Sequence, residues 1–478
     1  MSRELINLAP PEERAILVGA PLKRGNARHI AHEHLEELGR LADTAGARVV
    51  GTLTQQIDRP DPATYIGKGK LEELKALVAA TNATVVIFDD ELTPAQGKNL
   101  EAEIAKRVID RAELILDIFA LRARTAEARM QVELAQLEYS LPRLRNLWTH
   151  LEKFRGGIGV RGPGETQLET DRRLVGQRIA LLKERLREVE TSRAEQRKGR
   201  KGAFRAALVG YTNAGKSSIL RAMAGGDVFV EDRLFATLDP LTREVRLAGT
   251  GKGGVTGDGR RMAGDGTEGV DQRVTGGAEQ RTGEQRPGEQ PSGERATGDA
   301  HAASVLLTDT VGFIRKLPHH LVASFRATLD EVREADLLLH VIDASNPAWE
   351  EQRPVVDGVL DDLGVHDKAV LHVFNKTDRM PAAEVDALRE RMTRLLPHSV
   401  FVSAKVEGGM EPLRAAMLEA TRRDRPVVEV RLSPADGRRL AELHRHGEVL
   451  DTRHDDETGQ LVVRARLDMA TAARFGVH

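Results

Sequence analysis

The sequence contains no cysteine. That absence removes disulfide bridges, thiolate metal sites and thiol nucleophiles, and it is compatible with a reducing compartment. No stretch approaches the roughly eighteen consecutive apolar residues of a membrane-spanning helix. Nor does the start, Met1 to Pro11, carry a basic flank running into an apolar core, so no signal peptide is read there. Net charge is also lacking: 71 Lys and Arg stand against 73 Asp and Glu. Any attraction to nucleic acid must therefore come from local patches and not from the field of the whole molecule. A soluble, cytoplasmic protein without a membrane span is expected. With 478 residues the chain exceeds one ordinary core, and size alone suggests roughly three domains.

A further absence divides the chain. Between about Gly249 and Ala303 there is no Leu, Ile, Phe, Tyr or Trp, so a disordered insertion is expected. Its near-copies, such as Gly283-Glu284-Gln285-Arg286 and Gly288-Glu289-Gln290, read as low-complexity drift, because no apolar position recurs to stack.

What remains is patterned. Residues 15–18, 48–53 and 84–88 are short β-branched runs separated by helical patterns over about 28–45 and 70–80. That alternation predicts a small α/β domain over residues 1–111. Within it, Tyr65-Ile66-Gly67-Lys68-Gly69-Lys70 has the composition of a phosphate loop without the spacing, and reads as a turn into the next helix. From Ala112 one long helix is predicted, its apolar stripe running through Ile115, Phe119, Leu134, Leu137, Leu141 and Leu144 and breaking at Gly156. After a glycine-rich tip (156–164), a second helical run places Leu174, Ile179, Leu182, Leu186 and Val189 on one side. Residues 112–201 are thus expected to form a helical hairpin, closed by the basic linker that begins at Arg197. Residues 202–425 read as a mostly parallel, doubly wound P-loop domain carrying the 249–303 insertion. Residues 426–478 read as a small α+β unit, in which strand-like runs 448–453 and 460–467 are joined by a turn at Asp455–Gly459.

Four motifs carry the chemistry. Gly210-Tyr211-Thr212-Asn213-Ala214-Gly215-Lys216-Ser217 has phosphate-loop spacing between a buried-strand run, Ala206–Val209, and a helix. Its glycines let backbone amides close on phosphates at a helix N-terminus, Lys216 reaches the β- and γ-phosphates, and Ser217 ligates Mg²⁺. Asp309-Thr310-Val311-Gly312 follows an apolar strand. There Asp309 can hold the Mg²⁺ shell and the Gly312 amide the γ-phosphate. Asn375-Lys376-Thr377-Asp378 and Ser403-Ala404-Lys405 both sit at predicted strand ends, where doubly wound sheets bind ligands. The Asp378 carboxylate accepts from the guanine N1–H and 2-amino group, donors that adenine lacks, which selects GTP over ATP. Sites that hydrogen-bond their substrate reject analogues lacking the donor by about 10⁴-fold or more.

In order and spacing these motifs resemble the translation-factor-related GTPases, and within the Obg-HflX-like superfamily the HflX family, over nearly the whole chain. Arg161-Gly162-Pro163-Gly164-Glu165-Thr166-Gln167-Leu168-Glu169-Thr170-Asp171-Arg172-Arg173 is similar to that family's signature ahead of its GTPase domain. Phe235-Ala236-Thr237-Leu238-Asp239-Pro240 matches its first switch, which implies that Thr237 closes over the γ-phosphate and completes Mg²⁺ coordination with Ser217. Asp309 to Ile314, followed by Arg315-Lys316-Leu317-Pro318-His319-His320-Leu321, matches its second switch. The histidines are read as part of a polar switch helix and not as zinc ligands. Lys216, Thr237 and Gly312 are the resulting catalytic candidates, with Mg²⁺ as cofactor and GTP and GDP as substrate and product.

The resemblance further implies docking on the large ribosomal subunit, with the hairpin tip on ribosomal RNA, in splitting or rescue of stalled ribosomes. It also implies association with ribosomes or peripherally with membranes. A monomer is expected. Arg143, Arg145, Lys153, Arg155 and Arg161 around the tip suit RNA contact, and Trp148 and Phe154 suit stacking on bases. Equally, the tip reads as a plain turn with its aromatics closing the hairpin, and Lys183, Arg185 and Arg187 as a solvated helix face. The competing function is a GTP-gated module acting on a non-ribosomal RNA or protein. Two departures stand out. Signalling GTPases often carry a glutamine after the second switch glycine to orient water, but here that residue is Phe313. A phenyl ring cannot orient water, so slow intrinsic hydrolysis is expected, with the missing element supplied when the ribosome reshapes the switches; equally, Phe313 reads as a packed switch residue with no gating role. The other departure is the insertion, which lies where the family has a tight hairpin.

Overall fold

The computed structural model describes residues 12–23, 27–144, 163–198, 204–225, 234–235, 237–247, 303–317, 326–365, 367–423, 425–455, 458–467 and 469–476. Several expectations therefore lie outside the described residues. They concern most of the tip and its Arg145, Trp148, Lys153, Phe154, Arg155 and Arg161, together with Ala236, the insertion, His319 and His320.

The first sheet is built from β1 (Glu13–Gly19), α1 (Ala27–Thr44), β2 (Ala47–Thr54), α2 (Lys68–Thr81), β3 (Val85–Phe88), α3 (Pro94–Ile104) and β4 (Arg107–Asp110). All four strands are parallel, in the order β2-β1-β3-β4. The apolar runs of β1 and β3 are buried, as parallel strands covered on both faces require. The last pair, α3 and β4, was missed from sequence. Its local signal is a capping box in which the Thr93 hydroxyl accepts from the Gln96 amide, with Pro94 opening the helix.

The long helix expected from Ala112 is two helices, α4 (Arg111–Arg122) and α5 (Ala126–Ser140). Ala123 leaves helical geometry, and the Thr125 hydroxyl accepts from the Ala128 amide to cap the second helix. Both helices bury one side in the same core, α4 through the expected Ile115 and Phe119 and α5 through Val132, Ala135 and Tyr139; of the stripe expected beyond the break Leu134 is buried, whereas Leu137, Leu141 and Leu144 are only half-buried. Helix α6 (Pro163–Lys198) starts inside the segment expected to be a non-helical tip. It lies along α5, where Arg178 meets Glu133 at 2.6 Å and Lys183 meets Glu138 at 2.7 Å. Of its expected stripe only Leu182 is fully buried, while Leu174 is exposed.

The second sheet comprises β5 (Phe204–Gly210), α7 (Lys216–Ala224), β6 (Leu241–Leu247), β7 (Ala303–Asp309), α8 (Arg326–Glu334), β8 (Leu337–Asp343), α9 (Trp349–Asp362), β9 (Ala369–Asn375), α10 (Ala382–Leu395), β10 (Ser399–Phe401) and α11 (Glu411–Arg423). Its order is β10-β9-β8-β5-β7-β6, parallel except for β6, which pairs antiparallel with β7. Leu247 faces Ala303, so the insertion connects two neighbouring strand ends. The third sheet is antiparallel, in the order β11-β13-β12, formed by β11 (Val427–Leu432), α12 (Gly437–His446), β12 (Glu448–Asp455) and β13 (Gln460–Arg466), followed by α13 (Met469–Arg474).

One apolar core runs from Leu17 and Ile87 of the first sheet through Ile115 and Phe119 of α4 to Val209, Phe235 and Phe313 of the second. The loops that would respond to nucleotide are therefore packed against the N-terminal half of the chain.

Candidate nucleotide site

Strand β5 ends at Gly210, where a side chain is impossible: a Cβ would come 2.3 Å from the Val341 carbonyl oxygen. At Gly215 the φ is +98°, and a Cβ would stand 2.2 Å from Asn375 Nδ2. Two glycines thus let the loop turn tightly from β5 into α7 while pressed against β8 and β9. Between them Asn213 adopts a positive φ of 61°. The loop leads directly into α7, whose N-terminus carries the partial positive charge suited to an anion.

Lys216 is buried, and its Nζ donates to the Gly210 and Tyr211 carbonyls at 3.1 and 3.0 Å. Burial brings its pKa down to about 8, partly opposed by the Asp309 carboxylate. Beside it, Ser217 Oγ donates to Asp309 Oδ2 at 2.6 Å and lies 2.8 Å from Thr237 Oγ1. Three oxygen-bearing groups from the loop, the first switch and the end of β7 therefore converge. Asp309 Oδ1 is buried without a hydrogen-bond partner. Burial raises this carboxyl's pKa, opposed by Lys216, Ser217 and Thr237.

The second switch is fastened to the loop by its backbone. Thr310 Oγ1 donates to the Leu208 carbonyl at 2.6 Å. The Phe313 amide donates to Gly210 O at 3.1 Å, and the Thr212 amide to Phe313 O at 2.7 Å. Val311 and Phe313 are buried in the shared core. Of the two readings left open for Phe313, this geometry favours a packed switch residue. In the first switch, the Phe235 amide donates to Thr212 Oγ1 at 3.3 Å, and its ring meets Phe119 edge-on at 4.7 Å. Leu238 is buried beside it. Asp239 accepts from the Arg124 and Thr125 amides, both at 3.3 Å, at the start of α5.

At the other end of the loop, Asn375 Nδ2 donates to the Ala214 carbonyl at 3.0 Å. Lys376 Nζ donates to the Asn213 carbonyl at 2.7 Å and to Asp343 at 2.8 Å. Thr377 Oγ1 donates to the Val402 carbonyl at 3.0 Å. Ser403 Oγ donates to Asp378 Oδ1 at 2.6 Å and accepts from the Lys405 amide at 3.3 Å, while Ala404 packs on the core behind. The described residues of the phosphate loop, the second switch and the two base-side motifs, with Thr237, thus gather at the carboxyl ends of β5, β7, β9 and β10, whereas Phe235, Leu238 and Asp239 turn to α4 and the start of α5.

Sequence reasoning missed two contributors. Asp343 ends β8 as a carboxylate under Lys376, and the strand-end rule that located the other motifs would have located it too. Glu37 reaches the site from α1, accepting from the Tyr211 hydroxyl at 2.6 Å. No local pattern marks that contact.

Comparison with known proteins agrees with this geometry. Family profiles match residues 32–120 as "GTP-binding GTPase N-terminal", 122–200 as "GTP-binding GTPase Middle Region", and 205–376 as "50S ribosome-binding GTPase". A curated relative, "GTPase HflX" of Magnetococcus marinus, is 41% identical over 94% of this chain and 92% of its own. The chain belongs to the HflX family of GTPases. Two other HflX proteins are similar, from Flavobacterium psychrophilum (43% identical, covering 81% of this chain and 80% of that one) and Escherichia coli K12 (38%, covering 93% and 92%).

Seen as an HflX-family chain, one expected RNA contact and one residue of the basic second arm are already engaged within the protein. Arg143 is committed internally: its guanidinium lies 3.5 Å over the Tyr139 ring and donates to the Leu92 carbonyl and to Asp110. Lys183 is paired with Glu138 across to α5.

Proposed function

We propose that this HflX-family GTPase binds the large ribosomal subunit and hydrolyses GTP there, in the splitting or rescue of stalled ribosomes. The match of residues 205–376 to the ribosome-binding GTPase profile carries the choice of partner. The convergence of Lys216, Ser217, Thr237 and Asp309 supports the chemistry.

In this reading the amides of the 210–217 loop cradle the phosphates and Lys216 turns from its carbonyl partners to the β- and γ-phosphates. The Gly312 amide faces the γ-phosphate. Asn375 and Asp378 read guanine, the carboxylate oriented by Ser403, and Lys376 braces the loop through Asn213 and Asp343. Ser217 and Thr237 fit Mg²⁺ as direct ligands with Asp309 behind them, since a buried carboxylate oxygen without a partner and two adjacent hydroxyls are a hard-cation donor set. When bound, the ion neutralises charge developing between the β- and γ-phosphates. Phe313 offers no group to orient water, so hydrolysis by the protein alone is slow and the ribosome completes the site.

The test is the GTP hydrolysis rate of purified protein, alone and with saturating large subunits, with ATP as control. Slow turnover alone, stimulation of roughly tenfold or more by subunits and no use of ATP are expected, an acceleration of about 1.4 kcal/mol in barrier. Tight GTP binding without stimulation would favour a GTP-gated module acting on a different RNA or protein.

A further inference from the structure

The order β2-β1-β3-β4 reverses direction between β1 and β3. Open α/β sheets bind their ligands in the crevice at the carboxyl ends of such a strand pair. Here β3 is followed by Asp89 and Asp90, and α1 supplies Glu37 to the same crevice. The group that fills it belongs to the second switch of the GTPase sheet. Lys316 Nζ stands 2.7 Å from Asp89 Oδ2 and 2.6 Å from Asp90 Oδ1. Arg111, buried at the start of α4, pairs with Glu37 and Asp89 and donates through Nε to the Arg315 carbonyl at 3.2 Å. Lys316 is held at a positive φ of 52°, a conformation a lysine rarely adopts unaided.

Four residues upstream of Lys316, at Gly312, the same segment lies on the phosphate loop. A Cβ at Gly312 would stand 3.0 Å from Lys216 Nζ and 2.7 Å from Thr212 Cα, so this backbone takes up the space just beyond the lysine tip. The Thr212 amide is spent on Phe313 O, and Lys216 is turned toward loop carbonyls. A γ-phosphate held between Lys216 and the Gly312 amide needs that backbone to withdraw. A GDP β-phosphate, bound by the amides near the start of α7, does not.

We propose that the acidic crevice of the N-terminal sheet and the γ-phosphate compete for the second switch, so that Lys316 and Asp90 are positioning residues that set the preference between GTP and GDP. This rests on the reading of Lys216 and Gly312 as γ-phosphate contacts, and it is independent of the ribosome. A ligand shifts a two-state element only through its differential affinity for the two states. Loosening the crevice therefore raises triphosphate affinity and leaves diphosphate affinity alone. Lys316 and Asp90 are partly exposed, so their attraction is screened by salt. Raising ionic strength acts in the same direction as removing the pair.

The experiment measures affinities of the full-length protein for fluorescent GDP and for a fluorescent non-hydrolysable GTP analogue. The proteins are wild type, Lys316→Asn, Asp90→Asn and the charge-keeping Lys316→Arg. Asparagine tolerates positive φ, so the backbone at 316 is preserved in that variant. Each asparagine variant is expected to bind the analogue roughly fivefold more tightly or better, with GDP affinity within about twofold, the lower end of typical coupling between sites. Lys316→Arg, which keeps a cation facing Asp89 and Asp90, keeps the wild-type ratio. An unchanged ratio in variants that bind GDP normally overturns the crevice proposal alone. Wild-type protein that binds neither nucleotide overturns the site reading with it. A ratio that shifts as far in Lys316→Arg as in the two asparagine variants assigns the effect to packing and also overturns the proposal.

Discussion

Asp378 is oriented by a single hydroxyl, Ser403 Oγ, at 2.6 Å. A carboxylate there offers two acceptors to the two donors on guanine's edge, whereas asparagine offers one acceptor and sets its own N–H against a donor. Asp378→Asn is expected to cost roughly 2–4 kcal/mol of GTP affinity, because charged hydrogen bonds are lost and one donor is left unpaired. The same variant gains xanthosine triphosphate, whose 2-carbonyl matches the new donor. Competition binding with both nucleotides is the check, and undiminished GTP affinity would remove Asp378 from the base-reading role. The motif residues were legible in the sequence because each works through spacing: loop glycines, a lysine opening a helix, polar groups at strand ends. Tyr211 was placed in the loop for its backbone alone. Its hydroxyl leaves the loop for Glu37, 174 residues away. Burial and that carboxylate push the phenol's pKa up, so it remains a donor. A contact between residues so distant has no periodicity to betray it.

At the level of elements, β6 and β7 pair from Leu241 opposite Asp309 to Leu247 opposite Ala303. A ladder closed on both sides of the insertion does not need the insertion to set its register, and closure entropy grows only with the logarithm of loop length. Deleting about Gly251 to Asp299 and leaving a short turn should keep GTP affinity unchanged and add on the order of 2 kcal/mol to stability. Nucleotide titration and thermal unfolding of the shortened protein test this, and a lost nucleotide site would make the insertion structural. Strands β1, β3, β5 and β9 were readable as apolar runs because most of their residues are covered on both faces, whereas short β4 escaped because Arg107-Val108-Ile109-Asp110 offers only two apolar residues. The helices after Ala112 read as one for a different reason. A helical period reports which side is buried, and α4 and α5 bury theirs in one core across the break at Ala123–Thr125. The interruption is written in capping chemistry, with Thr125 as N-cap and Asp239 of the first switch receiving the amides ahead of it.

For the molecule as a whole, two buried titratable groups respond to acid in different windows. His340 lies in the centre of the GTPase sheet, its Nδ1 without a hydrogen bond and the His372 ring 5.5 Å away. Burial, with the His372, Arg353 and Lys216 charges, brings its pKa down to about 3, and the Asp357 carboxylate 3.5 Å away does not reverse this. An unfolded histidine titrates near 6.5. The unfolded chain therefore takes up this proton first as pH falls. Stability is complete above about pH 6.5 and declines toward about pH 3, by about 3 kcal/mol at pH 4.5. Asp89 behaves otherwise. Burial pushes its carboxyl up, but His34, Arg111 and Lys316 outweigh burial and hold it far below the usual carboxylate range. Its contribution is complete above the ordinary aspartate range and is lost only as pH falls through the depressed value. Between pH 6.5 and 4.5, then, the GTPase sheet weakens while the contact joining it to the N-terminal sheet persists. His340→Leu should flatten the dependence of melting temperature on pH across this window. Asp89→Asn leaves Arg111 buried and short of a partner, and should lower the melting temperature by a similar amount throughout, a cost of about 3–5 kcal/mol. A pH slope that survives His340→Leu would assign the acid response to other groups, and a pH-dependent loss in Asp89→Asn would mean that the joint itself titrates in the physiological range.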